Sequence, residues 1–344
     1  MAPLNERERT VLALTVMHHI RSGEPIGSRY LAEQLDLDVS PATIRNTMAD
    51  LEEKGYLRQT HVSSGRVPTD LGYRFYVDEV VGVRPARREG LEGMRERIAS
   101  RRSEIGELIR ETTRTLSAAS RQAGLVLGPR LLDARLEHLE LRRVASRRVL
   151  SIFVTESRLV QTRVLELPED WPQEDLDAMA RVWNERFAGL ALREVRTRLA
   201  VMMAAERAAL NSLVLRALEL GRLALAAREP AEELYLDGAA NILDVPEFAD
   251  PGKARALVRA IEEKGRLCTL LDECLRADRV RVFIGGEVSL PGLTDVSLVT
   301  APYRRDGEPI GVLGVIGPTR MAYERIIPIV ACAADDLGDC LSRA

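Results

Sequence analysis

The stretch Ser40-Pro-Ala-Thr-Ile-Arg-Asn46 sets a guanidinium and a carboxamide side by side near the start of a helical pattern. Arginine can bond both acceptors on a guanine edge, and asparagine can pair with the donor and acceptor of an adenine edge. Arg45 and Asn46 are therefore candidates for reading bases in a major groove. Ala42 is small enough to let a helix approach the groove floor, with Thr43 on its flank. Ser40 stands at the helix start, where free N–H groups favour anions. Around a Ser/Gly turn, His61, Ser63, Ser64 and Arg66 suit phosphates or the minor groove. Ser28 and Arg29 open the preceding short helix and complete the candidate set. The competing reading is plain: a core helix with a wet face, and His61 as an exposed strand residue.

Other chemistry has weaker support. Cys268, Cys274, Cys332 and Cys340 form no Cys-x-x-Cys pair and no histidine follows them, so reduced, buried thiols are expected rather than zinc. No activated serine, paired acidic motif or histidine–carboxylate spacing stands out, which argues against an enzyme and against a cofactor or metal. Gly311-x-x-Gly314-x-x-Gly317 resembles a dinucleotide fingerprint, but Val312, Leu313, Val315 and Ile316 make the segment itself a strand. Close packing, or the turn into a final helix, explains those glycines better. Arg320 could hold an anion or a partner's carboxylate; a structural salt bridge is the favoured reading.

The candidates need elements to hold them. Asn5 and Glu8 have capping-box spacing ahead of a helix whose inner face is Val11, Leu12, Thr15, Val16 and Ile20, stopped by Gly23 and Pro25. Ser28 is placed to cap a short helix from Arg29 to Leu35, and Asp36–Val39 is a turn. Ser40 caps a third helix, with Pro41 at its first position. There Ile44, Met48 and Leu51 must point inward, leaving Ala42, Asn46 and Ala49 opposite. Asp50, Glu52 and Glu53 would be repelled by phosphates, so only the first turns should enter a groove. Gly55 suits a left-handed cap. Tyr56–His61, the turn Val62-Ser-Ser-Gly65 and the return Arg66-Val-Pro68 read as a hairpin. Helix, turn, helix and hairpin in that order make a winged helix-turn-helix.

Across 344 residues, 46% hydrophobic and 29% charged, the chain is a globular protein of two or three domains. No apolar run is long enough to span a bilayer and no secretory signal is seen, so a cytoplasmic location and no membrane contact are expected. The net charge of −3 gives no global sign of a nucleic-acid partner. Residues 1–83 carry nine basic side chains against twelve acidic ones, whereas 84–148 carry sixteen arginines against nine acids. The arginines of 84–102 read as a solvated face, or as contacts to flanking phosphates. Beyond them the patterns give a long helix over Leu91–Ala123, strands at Leu139–Val144, Arg148–Thr155 and Leu159–Leu165, and helices at Gln173–Phe187 and Val201–Leu225. A short strand at Tyr235–Gly238, a helix over Lys253–Ala277, strands at Val280–Ile284, Val296–Ala301 and Ile310–Ile316, and a helix from Tyr323 to the end complete the pattern.

The runs at 23–29, 40–52 and 61–74, with Ala301-Pro-Tyr303 and 311–323, resemble the heat-inducible transcription repressor family HrcA. The resemblance is specific at both ends; between about Leu91 and Val280 it lies mainly in layout. It implies an α+β multidomain fold: an N-terminal winged helix-turn-helix, and a GAF-like α/β domain interrupted by a mostly helical dimerising insertion. The implied boundaries are 1–83 for the DNA-binding domain, 84–168 and 253–344 for the two parts of the GAF-like domain, and 169–252 for the insertion. It further implies a homodimer on double-stranded DNA, at an inverted-repeat operator of the CIRCE type before chaperone operons, with a chaperonin as modulator. A GAF-type regulator answering to a small molecule is the alternative.

Overall fold

The computed structural model describes residues 3–34, 39–59, 65–82, 105–129, 134–156, 160–192, 194–195, 197–199, 201–202, 216–220, 223, 234–243, 245–288 and 295–343. The chain divides into two compact units, Met1–Gly128 with Ala231–Ala344, and Pro129–Pro230.

The first unit opens with three helices, α1 (Glu6–Ser22), α2 (Ser28–Gln34) and α3 (Pro41–Glu53), and a hairpin of β1 (Leu57–Gln59) and β2 (Arg66–Pro68). Asn5 and Glu8 complete their capping box with two bonds of 2.9 Å. Gly23, at φ 74, ends α1 by donating to the His19 carbonyl. Ser28 lies inside the first turn of α2 instead of capping it; the Leu31 amide bonds the Gly27 carbonyl, one residue earlier than expected. The turn at Asp36–Asp38 lies outside the described residues. After the hairpin come α4 (Asp70–Phe75) and a π-helical stretch, Tyr76–Val81.

The body of this unit is a five-stranded sheet. Its strands are β3 (Ala123–Leu127), β7 (Leu234–Asp237), β8 (Arg281–Ile284), β9 (Val296–Arg305) and β10 (Glu308–Pro318), in the order β7-β3-β10-β9-β8 and all antiparallel. Helices α5 (Ile105–Ser120) and α10 (Tyr323–Arg343) pack together on one face. On the other lie α7 (Ala239–Leu243), α8 (Pro251–Glu262) and α9 (Lys264–Cys274). Side chains alternate accordingly: Val299, Ala301, Tyr303, Leu313 and Val315 join the first core, and Leu298, Val312 and Ile316 the second.

One strand is hidden by its closeness to a helix. Ala123-Gly-Leu-Val-Leu127 is buried throughout, so it shows no polar alternation, and the helical pattern over Leu91–Ala123 runs into its first residue. That helix stops at Ser120, with Arg121 left-handed at φ 56; residues 91–104 lie outside the described set. The helix expected over Lys253–Ala277 is two, broken at Glu263 (ψ 56). The fingerprint-like glycines all sit in β10. A Cβ at Gly311 would strike the Tyr303 ring, at Gly314 the Val299 carbonyl, and at Gly317 the Gln122 side chain. Tyr303 faces Gly311 across the ladder and donates to the Leu127 carbonyl at 2.9 Å, so its ring crosses β10 where no side chain stands.

The second unit holds a meander of β4 (Leu136–Ala145), β5 (Arg148–Thr155) and β6 (Val160–Glu166), with α6 (Gln173–Phe187) on it. Leu139, Leu141, Phe153, Trp183 and Phe187 form its core, and Asn184 bonds both the amide and the carbonyl of Leu139. The expected insertion, 169–252, is thereby corrected. The strands before it belong to the inserted unit because their inner face has α6 as its partner, while 234–243 return to the main sheet through β7. Among its described residues the inserted unit holds a three-stranded sheet as well as helix.

Candidate nucleic-acid interface

Helix α3 is fixed by its caps and by one apolar face. Ser40 accepts from the Thr43 amide at 3.2 Å, and Pro41 occupies the first turn. At the far end Gly55, at φ 81, donates to the Glu52 carbonyl while Tyr56 donates to Leu51, a double C-terminal cap. Ile44, Thr47, Met48 and Leu51 are buried against α1 and α2. The rotation of about 100° per residue then leaves Ala42, Arg45, Asn46 and Ala49 exposed, with Thr43 half-buried between. Arg29 is exposed and Ser28 half-buried on α2, which packs against α3. Thus Ser40, Ala42, Arg45 and Asn46 are brought together on one accessible surface, and Asn46 is not in the core.

The hairpin follows in register, Gln59 facing Arg66 and Leu57 facing Pro68. A third segment joins it: Ile26 and Arg66 exchange backbone bonds of 3.1 and 2.9 Å. Gly65 is required there, since a Cβ would run into the Ile26 carbonyl. Arg66 is mostly withdrawn from solvent and its Nε donates to Glu52 at 2.8 Å. The other oxygen of Glu52 accepts from the Gln59 amide at 3.1 Å. His61, Ser63 and Ser64 lie outside the described residues.

Residues 69–76 turn away from this surface and dock on the sheet. Thr69 caps α4, accepting from Gly72. Asp70 accepts from the Gly286 amide at 3.0 Å, filling the space beside Gly285, which stands at φ 53. Arg74 pairs with Glu287 and donates to the Val282 carbonyl at 2.6 Å, and Tyr76 donates to Glu324 at 2.5 Å. One continuous core runs from Val11 and Leu12 through Tyr73 to Tyr323 and Leu337. Sequence reasoning assigned no role to Asp70 or Arg74, and read Glu52 only as a charge that phosphates would repel; its link to Gln59 and Arg66 leaves no pattern along the chain.

Between α1 and α4, His19 Nδ1 lies 2.5 Å from the Tyr73 hydroxyl. Burial, then the nearby Arg320 charge, holds His19 down at about 4, and burial pushes the Tyr73 phenol up. Tyr73 is therefore the donor and a neutral imidazole the acceptor. Arg320 is ion-paired with Glu247, the structural role favoured for it. Glu8 is also lowered, first by the Lys54 ammonium at 2.6 Å and then by the Asn5 amide, and it ties α1 to the end of α3. Cys268, Cys274 and Cys332 are buried and Cys340 is half-buried. Among the described residues, no group of three or more His, Cys, Asp or Glu side chains could hold a metal ion, and no helix is long and apolar enough to cross a membrane.

A family model described as HrcA protein C terminal domain matches residues 106–327. The heat-inducible transcription repressor HrcA of Geobacter sulfurreducens is 41% identical over 330 residues, 96% of this chain and 96% of the relative. That of Syntrophobacter fumaroxidans is 38% identical over 344 residues, covering 100% and 99%. A crystal structure described as a hypothetical protein at 2.2 Å resolution has the same fold, with a TM-score of 0.65, 22% identity and 99% of each chain covered. Both named relatives fall in one class, the transcription repressors. Within that class this chain belongs to the HrcA family, and it is a transcriptional repressor, not an enzyme.

Proposed function

We propose that the chain represses heat-shock (chaperone) operons by binding, as a homodimer in the cytoplasm, an inverted-repeat operator of the CIRCE type. In this reading α1–α3 and the hairpin form a winged helix-turn-helix, and the five-stranded sheet with its two helical layers is the GAF-like body. The carrying observation is the exposure of Arg45 and Asn46 on the first turns of a helix whose opposite face is buried. Ser40, Ala42 and Thr43 set how closely that helix approaches the groove, and Ser28 and Arg29 lie on the adjoining helix. His61, Ser63 and Ser64 are assigned by sequence to the hairpin tip. A single head reads few base pairs, so two copies on a palindrome are needed for specificity. The inserted unit is the element left to supply the dimer contact, and a chaperonin is the proposed modulator. The test is a gel shift against the inverted repeat with random duplex as competitor: selective retention of the repeat is expected, and equal competition by random DNA defeats the reading.

A further inference from the structure

We infer that Glu52 is a positioning residue for DNA reading, acting as the joint that holds the hairpin at a fixed angle to α3. The inference rests on the operator-binding reading above. Glu52 is the penultimate residue of α3, and its carboxylate forks across both strands: one oxygen takes the Gln59 amide, the other the Arg66 guanidinium. Gln59 and Arg66 face each other as the last rung of the hairpin before residues 60–64. One side chain thus grips both strands at the Gln59–Arg66 rung.

The Arg66 backbone is already tied to Ile26 on its other side, so the guanidinium is the link between a fixed strand and the helix. The side chains of Arg66 and Glu52 are 16% and 34% exposed, which spares the pair the full solvent competition of a surface ion pair. The pairing also removes an electrostatic conflict. A bare carboxylate at 52 would repel phosphates; joined to Arg66 it does not, and Arg66 in turn ceases to count as a phosphate neutraliser.

The experiment measures binding of the full-length chain to the inverted repeat and to random duplex over a salt series, for wild type, E52Q, R66Q and the double variant. For E52Q, operator affinity is expected to fall about ten-fold while random-duplex affinity holds or rises. Its salt slope on random DNA should steepen by about one, because Arg66 is released to phosphate. On the operator the double variant should be no worse than R66Q, since both substitutions break one joint, and its slope on random DNA should return to the wild-type value because no arginine is released. For R66Q, operator affinity should fall with the salt slope unchanged; this variant carries the test should E52Q fail to fold. A slope for R66Q shallower by about one overturns the inference, because Arg66 is then itself a phosphate contact. So does E52Q binding the operator within about two-fold of wild type. Wild-type protein that ignores the inverted repeat defeats the operator reading instead, a result distinct from either.

Discussion

Arg45 and Asn46 owe their exposure to Ile44, Met48 and Leu51, which leave them no other direction to face. Arg45→Ala is expected to cost about 1–3 kcal/mol on the operator and little on random duplex, measured by competition gel shift. Equal loss on both would make Arg45 a phosphate contact. A second residue-scale prediction concerns His19. Its folded pKa, about 4, lies below the ordinary 6.5, so between these values the unfolded chain binds a proton that the folded chain refuses. Stability is therefore full above pH 6.5 and declines as pH falls toward 4, by less than about 3 kcal/mol because the ring is partly open to solvent. Urea midpoints over that window should fall in wild type and flatten in His19→Gln. Glu8, also lowered, adds a loss of the same sign below about 4.5.

Element by element, what the sequence shows in advance depends on whether an element carries a pattern distinct from that of its neighbours. α1, α3 and α6 present clean amphipathic patterns, the first two with side-chain caps, and the pattern gives Gln173–Phe187 with the limits the structure has. β3 escapes notice because it is five residues long and starts directly after α5, and the role of Ile26 in the hairpin because a single bridging residue leaves no pattern. Arg45 and Asn46 were legible since a helical period places them. Glu52 was misread as a mere source of repulsion, because its meaning lies in Gln59 and Arg66, brought to it only by the fold. Gly65 shows the same dependence on tertiary approach. Gly65→Ala should push the hairpin off Ile26 and cost about 1–3 kcal/mol of stability, visible as a lower thermal midpoint together with weaker operator binding. An unchanged midpoint would mean the hairpin tolerates the added methyl by moving.

For the whole molecule, charge and cooperativity matter most. The first 83 residues are net acidic, so few phosphate contacts are available and the salt dependence of operator binding should be shallow, no more than about four in log–log slope per head. A much steeper slope would point to the arginines of 84–102 as additional contacts. The division into two compact units predicts that Pro129–Pro230 gains and loses protection from hydrogen exchange as a block of its own.

The core that runs unbroken from α1 to α10 has a practical consequence. A fragment cut at Gly82 would strip the covering from Tyr73, Tyr76 and Val77, leave Asp70 without the Gly286 amide and deprive Arg74 of Glu287. Such a fragment should clump, and grafting it onto a foreign regulator should give insoluble chimaeras unless the Gly285–Val288 turn and the start of α10 travel with it. The N-terminal head is not a detachable cassette.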